Sequence, residues 1–362
     1  MKKVLFAFRF NYLKEVLPHY RERGRAPLDF LYGMQEFDAA QCEVTYINAP
    51  QGPRQGFWRR FFFPFEWCFA FLTRLGLPFE IFTLFRKEIH SADIIFGIND
   101  PIGFALLFWK RLGFISGRVC LIVQSAHERC REHFRFQMFT RRLVGWLLRG
   151  AEDVWVLAEC AKQPIHDYFG VPLARVHYFP FVGDHHFWTP SDLPREQYIL
   201  SIGNDFNRDY RTLVAALSSD ETAVIITTKP VDAQGKKVTL KKGLSNEDVR
   251  TAYQKARLAV IPSESLVYES SGYSSAFQAA LTGTPLIISD SPPMREVFTE
   301  KEHCLFYAAG DQESLRAMLA YAKEHPEELR AMAICARERI IASHSAKAAA
   351  QSLQQVWYLY DN

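Results

Sequence analysis

The chain has 362 residues, more than one comfortable core holds, so two domains of ordinary size are expected. With 48% hydrophobic and 23% charged residues it is a folded globular sequence and not a disordered one. A formal net charge of +3 is small for this length, which argues against an obligate nucleic-acid binder and leaves room only for a local basic face.

Seven cysteines lie scattered, odd in number and without a CxxC pair, which points to reduced thiols in the cytoplasm and to neither a disulfide framework nor a zinc site. The opening MKKVLFAFRF is too short in its apolar run for a signal-peptide core. KKVLFAF reads instead as a buried first strand. In an open α/β sheet ligands gather outside the carboxyl ends of the strands, so Arg9, Asn11 and Tyr12 are acceptor-side candidates. CEVTYINAP reads as the next strand and ADIIFGIND as a third, closed by Asp100 and followed by the helix PIGFALLFWKRLG. RVCLIVQSAHE is another strand with His127 just past its end, and DVWVLAE is the last of this half. Strands that alternate with helices predict a parallel, doubly wound sheet.

Residues 54–87 form the most unusual segment, dense in aromatics and carrying six basic residues against two acidic ones. Pro64, Glu66, Arg74, Pro78 and Glu80 interrupt every window long enough to span a bilayer. Two readings stand: interfacial helices with Arg59, Arg60, Arg86 and Lys87 on anionic lipid, or helices packed on the sheet with aromatic side chains in the core. A partner interface or acceptor groove is a third.

In the carboxyl half YILSIG runs apolar into Gly203, a polar turn holds Asn204 and Arg208, and YRTLVAAL continues as helix. A guanidinium there can make forked, charge-assisted bonds to a diphosphate. AVIITTKP is a central strand with Lys229 at its carboxyl end, and KKGLSNEDV predicts a short strand, a turn at Gly243 and a helix capped by Ser245 or Asn246. ARLAVIP, a Ser/Gly loop, SSAFQAALTG and TPLIISD then read as strand, loop, helix and strand. The unpaired amides at the start of that helix suit an anion, which makes Ser271, Gly272, Tyr273 and Ser274 candidates for a phosphate cradle. No histidine or carboxylate spacing demands a metal.

The stretch SSGYSSAFQAALTGTPLIISDSPPMREVF resembles the nucleotide-sugar-binding region of GT-B glycosyltransferases of the retaining, GT4-like kind. FPFVGDHHFWTP, SIGNDFNRDYRTLVAAL and KKGLSNEDVRTAYQKARLAVIPS support the likeness in the order that family follows. It covers residues 150–362 well and 1–150 in outline. The resemblance implies two Rossmann-like doubly wound parallel-sheet domains facing across a cleft: 1–186 on the acceptor side, 187–345 binding the nucleotide sugar, and a helix in 346–362 crossing back. It implies sugar transfer from a nucleotide-diphosphate-sugar donor to a glycan or lipid-linked acceptor, with retention, without metal or other cofactor, in the cytoplasm or at the inner face of the cell membrane.

The same resemblance assigns His127, Arg208 and Lys229 to catalysis and the turn Lys242, Gly243 and Leu244 to the nucleobase. The family's paired cations meet Asn204 and Arg208 here, and its two glutamates fall on Ser270 and Gln278, with Glu269 beside the first. Gln278 still offers both donors and an acceptor to ribose hydroxyls. Because charged family residues are replaced, the alternative is a weakened or inactive GT-B protein that binds or scaffolds partners in glycan assembly.

Overall fold

The structure, a computed structural model, describes residues 1–10, 13–38, 41–49, 57–133, 135–264 and 271–358. The chain divides into two compact units, one of residues 1–20, 32–180 and 350–362 and the other of 21–31 and 181–349.

The first unit opens with β1 (Lys2–Phe8), the short helix α1 (Leu13–Val16) and β2 (Cys42–Asn48). Helices α2 (Phe57–Thr73), α3 (Ile81–Leu84) and α4 (Arg86–Ser91) precede β3 (Ile94–Ile98) and α5 (Asp100–Arg111). β4 (Arg118–Val123), α6 (Ala126–His133), α7 (Gln137–Leu148), β5 (Val154–Val156), α8 (Lys162–Phe169) and β6 (Val176–Tyr178) complete it. Its six parallel strands run in the order β2-β1-β3-β4-β5-β6. All five residues of β3 are buried, as expected of a central parallel strand covered on both faces.

The aromatic segment resolves into α2, whose inner side chains Phe62 and Phe69 join the core while most of the others face outward. Two ion pairs pin it: Arg59 Nε lies 3.0 Å from Glu80 and Arg9 Nη2 3.5 Å from Glu66. The packed reading thus holds for the inner face of this helix, while its outer face leaves aromatic side chains exposed. No helix among the described residues is long and apolar enough to cross a membrane.

The second unit runs through β7 (Glu196–Ile202), α9 (Tyr210–Ala216), β8 (Thr222–Ile226), β9 (Lys237–Lys241), α10 (Asn246–Lys255) and β10 (Ala256–Ile261). α11 (Tyr273–Leu281), β11 (Leu286–Ser289), α12 (Pro292–Val297), β12 (Leu305–Tyr307), α13 (Gln312–Glu324) and α14 (Pro326–Ser343) follow. Its six parallel strands take the order β12-β11-β10-β7-β8-β9. The edge strand β9 is KVTLK, largely exposed and with lysine at both ends, a charge pattern that discourages further pairing. Ser245 caps α10 in a reciprocal capping box with Asp248. α15 (Ala346–Tyr358) closes the described chain, and Ser352 donates to the Tyr178 carbonyl at 2.9 Å.

This division differs from the expected domain 1–186, which yields 21–31 and 181–186 to the second unit. Asp29 is the physical reason. Its buried carboxylate accepts from the Asp184 amide at 2.6 Å and from Trp188 Nε1 at 2.7 Å. Asp184 in turn accepts from the Leu28 amide at 3.0 Å. Without these carboxyl groups the buried amides of Leu28 and Asp184 would lose their acceptors, so the strap 21–31 stays with its partners. The helix expected within 346–362 is likewise shared, since residues 350–362 group with the first unit.

Candidate functional site

In the second unit β7 runs into Gly203, and the register Ile202↔Ile226 and Ile226↔Lys241 aligns the carboxyl ends of β7, β8 and β9. The turn 204–209 is held on all sides. Asn204 Oδ1 accepts from the Thr228 amide at 2.7 Å and from the Thr227 and Thr228 hydroxyls at 3.1 and 2.9 Å. Lys229 Nζ donates to the carbonyls of Asp205, Phe206 and Arg208 at 3.0, 2.9 and 3.4 Å. Lys229, expected to act on substrate, therefore caps this turn and positions Arg208. The Asp209 amide donates to the Pro262 carbonyl at 3.2 Å and the Glu264 amide to the Asn207 carbonyl at 2.9 Å, which clamps the turn onto the loop after β10.

Arg208 folds back beneath that turn with its side chain fully enclosed. Gly203 (φ +156°) leaves the space it occupies, since a Cβ there would run into the guanidinium. Gly272, the N-cap of α11, sits at φ +89°, where a Cβ would meet Ile261 Cγ2 at 2.8 Å and Arg208 Nη1 at 3.3 Å. Arg208 Nη2 donates to Ser275 Oγ at 2.9 Å and lies 3.4 Å from Asp205 Oδ2. Among the described residues its Nε and Nη1, together with buried Asn207 Nδ2 and Ser263 Oγ, find no hydrogen-bond partner. A buried donor without a partner costs about 1–3 kcal/mol, and a charged one more. Four such atoms around one turn, beside the amides that open α11, form a cluster that an anion would satisfy.

Ser271 Oγ donates to Asn207 Oδ1 at 2.6 Å and to Asp205 Oδ2 at 3.2 Å, which ties the cradle to the turn. Tyr273 turns inward, its hydroxyl donating to the Pro293 carbonyl at 2.7 Å, so only its amide faces the helix start; Ser274 is half-buried. Lys242, Gly243 and Leu244 form the turn between β9 and α10 at the same carboxyl edge, with Gly243 at φ +66°. Glu269 and Ser270 lie outside the described residues. Gln278, on α11, hydrogen-bonds the Asp29 carboxyl. Burial and the neighbouring Asp184 push Asp29 up to about 7. A glutamate at 278 would place a third carboxyl against this pair, which gives a local reason for the amide. Asn207, Ser263, Ser275 and Asp29 are the residues that sequence reasoning missed. Arg208, Asp209 and Lys229 also border an open groove of about 650 Å³, with Arg211, Asp232 and Glu264 on its walls.

The first unit gathers a separate set. Asp100 is buried, accepting from the Gln124 and Ser125 amides at 3.0 Å each and from Ser125 Oγ at 3.2 Å. It therefore fixes the loop that leads to His127. His127 opens α6 half-buried, its ring edge-on to Tyr168 at 5.1 Å. Burial, then Arg131 and Arg141, push it down to about 4, so it is a neutral imidazole at physiological pH. Arg9 donates to the Gly76 carbonyl and pairs with Glu66, a cross-link to the α2 segment and not a free acceptor ligand. Asn11 and Tyr12 lie outside the described residues. No group of three or more His, Cys, Asp or Glu able to hold a metal occurs among the described residues.

Residues 208–355 match the sequence model of the family described as glycosyl transferase-like. No protein with a curated description matches the sequence. Among solved structures, sucrose-phosphate synthase from Thermosynechococcus elongatus is similar at TM-score 0.70 and 16% identity, with 99% of each chain covered. HepE from Anabaena in complex with UDP and glucose gives TM-score 0.69 at 11% identity, covering 99% of this chain and 100% of that one. The apo lipopolysaccharide outer core galactosyltransferase WaaB gives 0.59 at 12% identity over 99% of this chain and 100% of its own. The chain thus has the GT-B fold that these solved structures share, and its residues 208–355 match the glycosyl transferase-like family.

Proposed function

We propose that the protein moves a sugar from a nucleotide-diphosphate-sugar to a glycan or lipid-linked saccharide, with retention of configuration and without a metal ion. One observation carries the reading: the unpartnered donors of Arg208, Asn207 and Ser263 beside the N-terminus of α11. As the anomeric C–O bond breaks, negative charge grows on the departing diphosphate, and preorganised donors stabilise it most where water is excluded. Arg208 and the first amides of α11 take that part, with Lys229, Gly203 and Gly272 holding the guanidinium in place. The turn 242–244 takes the nucleobase, Gln278 the ribose, and the acceptor hydroxyl attacks from the face the diphosphate leaves. A uracil nucleotide is the first choice, on the analogy of HepE in complex with UDP-glucose. The protein works in the cytoplasm at the inner face of the cell membrane, and contact with anionic lipid through 54–87 belongs to the same reading.

The engagement of Gln278 by Asp29 favours a second reading, a protein whose donor site has weakened and which serves as a binding partner in glycan assembly. Release of UDP from UDP-glucose, with and without added acceptor glycans, separates the two. Turnover that Arg208→Ala lowers by about a hundredfold or more, and that chelator leaves unchanged, supports the enzyme; a protein that binds UDP and never releases it from donor is the scaffold.

A further inference from the structure

α2 turns six large apolar side chains outward along one face, Phe57 to Phe71, with Trp67 at 60% exposure. A second segment, more than sixty residues farther along the chain, lies directly beside it. The Arg135 amide donates to the Leu72 carbonyl at 2.8 Å, and the Arg135 guanidinium sits 4.3 Å from the centre of the Phe71 ring. From there Phe136, at 70% exposure, Met138 and Phe139 extend the same outward surface at the start of α7. Of the eighteen large apolar side chains exposed among the described residues, nine sit in these two short segments. Soluble surfaces rarely gather apolar groups so densely without a partner.

Among the described residues of these two segments the exposed charge has one sign. Arg60, Arg74, Arg135 and Arg142 are exposed on or beside it. Residues 135–149 contain no Asp or Glu, and the one carboxylate of α2, Glu66, is turned inward onto Arg9. Aromatic rings flanked by arginine and free of acid match the boundary of an anionic bilayer, where rings sit at headgroup depth and guanidinium groups meet lipid phosphate. A protein partner of ordinary composition would leave these arginines facing no defined countercharge. We infer that α2 and residues 135–142 together form a two-part docking surface for an anionic lipid bilayer. This deepens the membrane contact proposed above by adding the second segment, and binding alone tests it, apart from sugar transfer.

The experiment is co-sedimentation of the full chain with vesicles of phosphatidylcholine alone or mixed with phosphatidylglycerol. Binding is expected to the mixed vesicles, with a blue shift of fluorescence from Trp58 and Trp67, and to fall in high salt. Phe136→Ser with Met138→Ser, leaving α2 intact, should weaken partitioning about tenfold, as should Phe65→Ser with Trp67→Ser. Arg60→Gln with Arg142→Gln should weaken it about thirtyfold, at roughly 1 kcal/mol for each arginine. All six positions are exposed, so the melting temperature should not move. Absence of binding to mixed vesicles overturns the inference, as does equal binding to neutral ones. Loss confined to the α2 variants overturns the second segment. Concentration-dependent dimerisation that the same substitutions abolish would assign the face to a second copy of the chain.

Discussion

Arg208 is held where a charged side chain is hardest to hold, enclosed, with two of its nitrogen groups unpartnered among the described residues. A buried cation with unmet donors strains a fold even where one nitrogen is paired, and apolar replacement of a buried ionic group is often neutral or stabilising. Arg208→Met is therefore expected to keep or raise the melting temperature while abolishing stabilisation by nucleoside diphosphate. A variant that still binds nucleotide as the parent does would remove Arg208 from the site. Gly272→Ala makes the complementary case, because the left-handed backbone and the closeness of Ile261 both resist a Cβ. A loss of about 1–3 kcal/mol in denaturant unfolding is expected. Arg208 was legible in the sequence because a cation in a turn after a strand and glycine has a physical reason to meet phosphate. Asn207, Ser263 and Ser275 were not, since each acts only through a partner more than fifty residues away in sequence or through the turn that Lys229 closes.

At the scale of elements, the strap 21–31 is latched by a carboxyl that the second unit has pushed up to about 7 from an ordinary value of 3.8. The folded chain thus keeps a proton that the unfolded chain releases between pH 4 and 7. That share of stability is full below about pH 4 and lost as pH rises through 7. Asp29→Asn removes the titration at the cost of one acceptor, so its deficit relative to the parent should be largest near pH 4 and shrink toward pH 8, read from melting temperatures. A deficit that stays constant across this range would contradict the assignment. None of this was legible in RAPLDFLYGM, where a lone aspartate reads as an ordinary loop residue. The three-residue strands β6 and β12 escaped for a different reason: they are too short to carry a period and exist only because a neighbouring strand offers its free edge. Long apolar runs such as IIFGI and ARLAVI declared themselves, since burial on both faces leaves little choice of residue.

For the whole molecule, two parallel, doubly wound sheets were legible from the alternation of strands and helices, while their short strands β6 and β12 and the traffic of 21–31 between units were not. Local pattern fixes which elements form; which unit a connecting segment joins depends on contacts such as Asp29 with Trp188 that no window of sequence displays. The central claim is that the turn around Arg208 and the start of α11 bind the diphosphate of a nucleotide donor. Thermal stabilisation of the full chain by saturating UDP, GDP, ADP and CMP tests it most directly, with Arg208→Ala alongside. A ligand at about a hundred times its dissociation constant adds roughly 2.7 kcal/mol, enough to resolve in a melting curve. Stabilisation by one nucleoside diphosphate, UDP first, and its loss in Arg208→Ala is the predicted result. No shift with any of the four nucleotides, or an equal shift in the variant, would contradict it.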